Sequence, residues 1–186
     1  MTVLNDDNIR KLVEKKVIKI TPEPYDIQYQ PASLDLRLDD TYLKFRTSSV
    51  PVIDTRCEQE CCDSYVFSED EPLVLQPGEF VLAQTVERVK LPRTLLGRVE
   101  GRSSVGRLGV AVHVTAGFID PGFDGNITLE IVNLGNIPVV LYPYQRVCQI
   151  VFEELKSGAK LPYGVGGRNK YQGQSVPTPS GIFRDV

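Results

Sequence analysis

From residue 30 onward, apolar and polar residues alternate in short runs that turn residues cut apart. "SLDLRL" alternates strictly. "PLVLQPGEFVLAQTVERVKLP" reads as two strands around the turn Gln76-Pro77-Gly78, and "GVAVHVTAGFID", "NITLEIVNL" and "IPVVLYPYQRVCQIVFEEL" continue the series. Pro121-Gly122, Asp124-Gly125, Gly135-Asn136 and Pro143 punctuate it. Strand side chains point to opposite faces in turn, so this period of two speaks for sheet rather than helix. Many short strands with regular turns predict a sandwich, jelly roll or barrel-like fold.

One helix precedes them. Residues 5 to 17, "NDDNIRKLVEKKV", carry Ile9, Leu12, Val13 and Val17 at helical spacing, with Asn5 or Asp6 as N-cap. Residues 46 to 72 are polar and irregular and read as a loop or insertion between strands. The tail from residue 158 is rich in Gly and Pro, a composition that by itself suggests disorder. It also carries Tyr163, Arg168, Lys170, Tyr171, Gln172 and Gln174, so it could fold over a bound anion as a lid. The 186 residues suit one domain, 1–186.

A formal net charge of −3 argues against a general nucleic-acid binder, which needs a broad basic surface. No apolar run reaches the length of a membrane span, and the charged N-terminus does not resemble a signal peptide, so a cytoplasmic location is expected. Cys57, Cys61 and Cys62 crowd into "CEQECC", with Cys148 apart. With His113 as the one histidine, zinc ligands are scarce, and reduced thiols are expected.

Two stretches could carry chemistry. "GRVEGRSSVGRLG", residues 97 to 109, combines Arg98, Arg102 and Arg107 with two serines and four glycines. Glycines let backbone approach a ligand, and hydroxyls and guanidiniums supply donors for phosphate oxygens. The alternative is a glycine-rich turn with solvated arginines; a P-loop is excluded by the missing Gly-Lys-Ser/Thr ending. In "TAGFIDPGFDGNITLE", residues 115 to 130, a turn at Asp120-Pro121-Gly122 precedes a strand with Ile127, Leu129 and Ile131 on one face and Thr128, Glu130 and Val132 on the other. Glu130 is either a solvated acid on a half-exposed strand or a carboxylate buried for a task. Periodicity does not choose between them.

These residues carry a resemblance. "GRSSVGRLGVAVHVTAGFIDPGFDGNITLEIVN" resembles the signature region of the dCTP deaminase family, within the trimeric dUTPase superfamily. "QPASLDLRL" resembles its N-terminal motif, "YPYQRVCQIVFEEL" its late core strands and "KYQGQSVPTPS" its C-terminal closing segment. Together they cover most of residues 28 to 180, apart from 46 to 72. The resemblance implies a mainly β subunit: a distorted β-barrel or jelly roll of the dUTPase-like (β-clip) type with one N-terminal helix. It also implies a homotrimer with active sites at subunit interfaces, residues 158–186 as a closing segment, and no zinc. The zinc deaminases' His-x-Glu and Pro-Cys-x-x-Cys signature is missing.

By the same resemblance Glu130 is the general base that activates water for attack on C4 of cytosine and returns the proton to departing ammonia. Ser103 and Arg107 match residues that hold the base and water and contact phosphates. Arg102, Ser104, Val105 and Gly106 would join the triphosphate cradle, and Asp120 would hold the 3′-hydroxyl. Thr128 and Leu129 would touch base or sugar through backbone groups. Gln149, Tyr163, Lys170 and Gln174 would complete the phosphate clamp. Mg²⁺ is expected on the triphosphate, held by phosphates and water. Feedback by dTTP is typical of the family.

The family implies two activities: dCTP to dUTP alone, or onward to dUMP and diphosphate. "TAGFID" resembles the bifunctional members, which place a glycine after the alanine, here Gly117, where deaminase-only members place His-Arg. In that reading Asp120 also orients a water for attack on phosphorus. Deamination alone, a plain dUTPase and a non-catalytic nucleotide-binding module are the alternatives.

Overall fold

The computed structural model describes residues 2–46, 50–58, 61–167 and 169–185. The chain opens with a two-residue strand β1 (Thr2–Val3) and helix α1 (Asp6–Glu14). Asn5 caps α1 by accepting from the Asn8 backbone N–H at 2.9 Å, and Asp6 and Asp7 sit in its positive first turn. Ile9 and Val13 are buried and Leu12 packs on the core. Val17 does not join that stripe. The helix stops at Glu14, the backbone reaches φ +56° at Lys16, and Val17 emerges 41% exposed.

Short strands β2 (Lys19–Thr21) and β3 (Tyr29–Gln30) lead into β4 (Ser33–Phe45). Strand β5 (Cys62–Val66) pairs with the outer half of β4. The segment expected to be loop from 46 to 72 therefore contains a strand, whose exposed face explains why its polar sequence did not signal one. Then come β6 (Leu73–Leu75), β7 (Phe80–Lys90), β8 (Leu95–Gly101) and the single turn of helix α2 (Ser103–Gly106). Strands β9 (Val110–Ala111), β10 (Phe118–Ile119), β11 (Asp124–Asn133), β12 (Val139–Leu141) and β13 (Arg146–Glu154) complete the series.

Every pairing is antiparallel, and the main sheet runs β10-β8-β13-β4-β7-β11-β9, with β1, β2, β3 and β5 attached at its flanks. β4 bridges the halves: its first residues pair with β13 and its last with β5 and β7. The mainly β class predicted from the alternation is what the chain adopts. Leu34, Leu36, Leu38, Leu129, Ile131, Ile150 and Phe152 form the dry interior.

The turn at Gln76-Pro77-Gly78 forms as predicted, with Gly78 at φ +75° and the Glu79 N–H bonded to the Gln76 carbonyl at 3.0 Å. The strands around it do not pair with each other; β6 pairs with β12 in a separate ribbon. Buried Asn133 fixes that choice. Its amide donates to the Leu75 and Ile137 carbonyls at 3.0 and 2.9 Å, tying β6 to the loop that enters β12.

Candidate active site

β11 alternates as its sequence demands: Ile127, Leu129 and Ile131 are buried on the core face, and Thr128, Glu130 and Val132 are half-buried on the other. Register sets Glu130 opposite Leu82 and Thr128 opposite Gln84. Oε2 of Glu130 accepts the backbone N–H groups of Val114 and Thr115 at 2.9 and 3.1 Å. No other hydrogen bond among the described residues engages its carboxylate. The loop between β9 and β10 thus pins one oxygen, and the side chain lines a cavity of about 490 Å³. That size suits a nucleoside-scale ligand.

Leu82, Phe80, Thr128 and Glu130 floor this cavity, Phe118 and Asp120 wall it, and Tyr163, Tyr171 and Gln174 roof it. Most of the lining is apolar, with few polar groups set among it. Asp120 stands at the predicted turn, where Gly122 takes φ +93° and the Asp120 carbonyl accepts the Phe123 N–H at 3.1 Å.

The tail is ordered by specific bonds rather than loose. Tyr163 N–H donates to the Pro121 carbonyl at 2.7 Å, Gly173 N–H to Asp124 at 2.8 Å, and Asn126 N–H to Gln174 at 3.0 Å. The Gln174 amide returns to the Asn126 carbonyl at 2.6 Å. Tyr163 Oη accepts the Tyr171 N–H at 3.1 Å, and Tyr171 Oη accepts the Gly181 N–H at 2.9 Å. Burial pushes the Tyr163 phenol up, so it stays a neutral hydrogen-bonding group. Composition alone suggested disorder; the two tyrosines and two glutamines overcome it.

Asp120, Thr128, Glu130, Tyr163 and Gln174 therefore meet in one cavity. Leu129 is fully buried on the core side of the same strand. Lys170 lies in a neighbouring groove of about 1070 Å³ shared with Gln174, Arg46, Cys61 and Cys62, and is ion-paired to Asp185. Arg168 lies outside the described residues. Gln149 is held by Ser33 and the Gly101 carbonyl. Arg102 is held by Asp35.

Ser103, Ser104, Gly106 and Arg107 are exposed on or beside α2 and Val105 is half-buried there; none lines the Glu130 cavity of its own chain. Leu108 and Leu134, 57% and 74% exposed, flank this turn. Gly117 is also outside the lining. It sits behind the wall, where a Cβ would lie 3.0 Å from the Val99 carbonyl oxygen and 3.1 Å from His113 Cε1. Close packing, not an open reacting centre, demands glycine there.

Sequence reasoning named Tyr171 only among the tail residues of a possible lid, and gave no role to Phe118 or Asp35. Tyr171 stood in the motif "KYQGQSVPTPS", and Asp35 in "SLDLRL", where a charge between strand leucines was the available signal.

A family model described as dCTP deaminase-like matches residues 3–155. The chain belongs to that family. A dCTP deaminase, dUMP-forming, of Methanosphaera stadtmanae is 50% identical over all of this chain and 96% of its own length. A protein of Haloarcula marismortui named dCTP deaminase is 46% identical over 98% of this chain and 96% of its own length. The crystal structure of a 2′-deoxycytidine 5′-triphosphate deaminase from Agrobacterium tumefaciens superposes with a TM-score of 0.66 at 28% identity, over 82% of this chain. The chain spans 48% of that longer protein. A phage phi11 dUTPase shares the fold alone, with a TM-score of 0.51 at 14% identity over 76% of this chain and 93% of its own.

Proposed function

We propose that the protein deaminates dCTP hydrolytically and carries the product on to dUMP and diphosphate. The observation that carries this reading is the Glu130 carboxylate, pinned through one oxygen by two backbone N–H groups on the floor of an apolar cavity. Such a group is oriented for proton transfer with little reorganisation. Glu130 takes a proton from water, the hydroxide oxygen bonds to C4 of cytosine, and that proton passes to ring N3. Glu130 then carries the proton of the new C4 hydroxyl to the exocyclic nitrogen, the C4–N bond breaks, and ammonia leaves a uracil carbonyl with N3 protonated. Asp120 holds the 3′-hydroxyl and the apolar wall excludes bulk water. Thr128 and Leu129 offer the backbone of β11.

Ser103 and Arg107 serve the site of a neighbouring subunit in this proposal. They stand away from their own cavity, beside exposed Leu108 and Leu134, as a shared trimer interface requires. Arg102, Ser104, Val105 and Gly106 belong to the same presented turn. Tyr163, Lys170 and Gln174 close over the phosphates from the tail, with Gln149 supporting from β13.

Among the described residues no three His, Cys, Asp or Glu side chains group to hold a metal ion. Mg²⁺ carried by the triphosphate would need no such group, since phosphate oxygens and water would supply its ligands. When bound, it offsets phosphate charge.

The second reaction is the one that relatives at 48–50% identity over the whole chain carry in their names, dUMP-forming. Gly117 adds to this by resemblance alone, since its packing behind the wall accounts for the glycine whichever reaction follows. Water attack on the α-phosphorus of dUTP, oriented by Asp120, would release diphosphate. Inhibition by dTTP rests on the family resemblance alone. Purified protein given dCTP and Mg²⁺ should release dUMP, diphosphate and ammonia in equal amounts. Stoichiometric dUTP without diphosphate would leave deamination alone.

A further inference from the structure

Two motifs singled out in the sequence, "QPASLDLRL" and "YPYQRVCQIVFEEL", contribute no residue to the cavity lining. Their polar side chains converge elsewhere, on the two residues that enter α2. Asp35, 1% exposed on β4, places Oδ2 3.1 Å from Arg102 Nε and 3.0 Å from Arg146 Nη1. Arg102 Nη1 donates to the Arg146 carbonyl at 2.8 Å, and Arg146 Nη1 also donates to the Ile27 carbonyl at 2.7 Å. One residue earlier in the chain, the Gly101 carbonyl accepts from Gln149 Nε2 at 3.0 Å, and Gln149 Oε1 accepts from Ser33 Oγ at 2.6 Å.

The α2 turn is built directly on this anchor. The Arg102 carbonyl accepts the N–H groups of Val105 and Gly106 at 3.0 and 2.9 Å, and the Ser103 carbonyl accepts that of Arg107 at 3.0 Å. A turn of four residues cannot hold its own shape by helix propensity; something outside must fix its first residue. Burying the Asp35 carboxylate is costly and is tolerated here because two guanidiniums satisfy it. Both sit at the point where the chain leaves the sheet.

We propose that Asp35 is a positioning residue for the reaction: through Arg102 and Arg146 it fixes the Ser103–Arg107 turn in the orientation presented to substrate. Asp35 touches no reacting atom. Arg102 then acts first as the anchor of the turn. This inference rests on the proposed role of Ser103 and Arg107, and its test separates the two.

Asp35→Asn keeps the side-chain shape and removes the charge. Amide hydrogen exchange across residues 103–107 of the nucleotide-free protein should quicken at least about tenfold, while β11 keeps its protection. Turnover of dCTP should fall about 10–100-fold, the range seen when orienting partners are lost. Asp35→Glu should recover part of both. Arg102→Lys keeps the charge and loses the fork. It should quicken the same amides, and it carries the test if Asp35→Asn does not fold. Unchanged exchange at 103–107 in whichever of these variants folds would overturn the proposal. Fast exchange with normal dCTP turnover would keep the anchor but remove the turn from the reaction. A parent protein that releases no ammonia from dCTP would sink the functional reading while leaving the exchange result standing.

Discussion

Replacing Gly117 by alanine tests how tightly the wall behind Glu130 is built. The added Cβ would lie 3.0 Å from the Val99 carbonyl oxygen, 3.1 Å from His113 Cε1 and 3.3 Å from His113 Nδ1. Contacts this short are tighter than carbon ordinarily makes, so a neighbour must give by a few tenths of an ångström. The Val99 carbonyl belongs to β8 and cannot yield easily, because Val99 N–H is itself bonded to the Gly117 carbonyl at 2.7 Å. Overpacking of this kind costs about 1–3 kcal/mol. Gly117 does not occupy the left-handed region, so alanine returns about 0.4–1 kcal/mol by narrowing the unfolded ensemble. The net loss is therefore roughly 0–2.6 kcal/mol with a central value near ~1.3, or a few degrees in melting temperature at ~2–4 °C per kcal/mol for a chain of this size. The strain also reaches function. His113 precedes Val114 and Thr115, whose N–H groups grip Glu130, so ammonia release should fall along with stability. Thermal or urea unfolding together with an ammonia assay measures both. A Gly117→Ala protein as stable as its parent, with unchanged turnover, would refute the packing argument.

Removing the Tyr171 hydroxyl with Tyr171→Phe leaves the Gly181 N–H unpaired and should weaken tail closure by about 1 kcal/mol, roughly fivefold. KM for dCTP should rise by about that factor with a smaller change in kcat; an unchanged KM would detach the tail from substrate. Asp124 gives a pH test. Burial pushes its carboxyl up, but the Lys90 ammonium and then the Arg88 guanidinium overcome this and hold it below the usual carboxylate range. Its stabilisation is therefore fully present above the unfolded value near ~3.9 and is lost as pH falls through the lower folded value. Asp124→Asn should cost about 1 kcal/mol at neutral pH, and the gap to the parent should close below about pH 4 in urea titrations. A gap independent of pH would mean that the ion pairs contribute nothing.

Local patterns carried the sheet and the strand that bears the proposed base. Asn5 with Ile9 and Val13 marked the helix, and alternation at 127–131 placed Glu130 on the face away from the core. What alternation did not carry was long-range pairing. The β6–β12 ribbon depends on the Asn133 amide, whose two carbonyl partners lie 58 and 4 residues away. The strand at Cys62–Val66 stayed hidden because its outward side chains are polar or exposed. Both faces of β4 are buried over residues 33–36, so "SLDLRL" conceals Asp35 in the interior, where its partners come from the entry to α2 and from β13. Tyr163 and Gln174 were expected at the site by family resemblance and do line the cavity, whereas the bonds that order the tail needed the fold.

The central claim is that the Glu130 carboxylate moves the proton that deamination requires. Glu130→Gln keeps the side chain's size and removes its basicity. Ammonia release from dCTP should fall about 10²–10⁴-fold, the usual contribution of a general base, while the protein still binds dCTP. Ammonia release from the Glu130→Gln protein at a rate near that of the parent would contradict it.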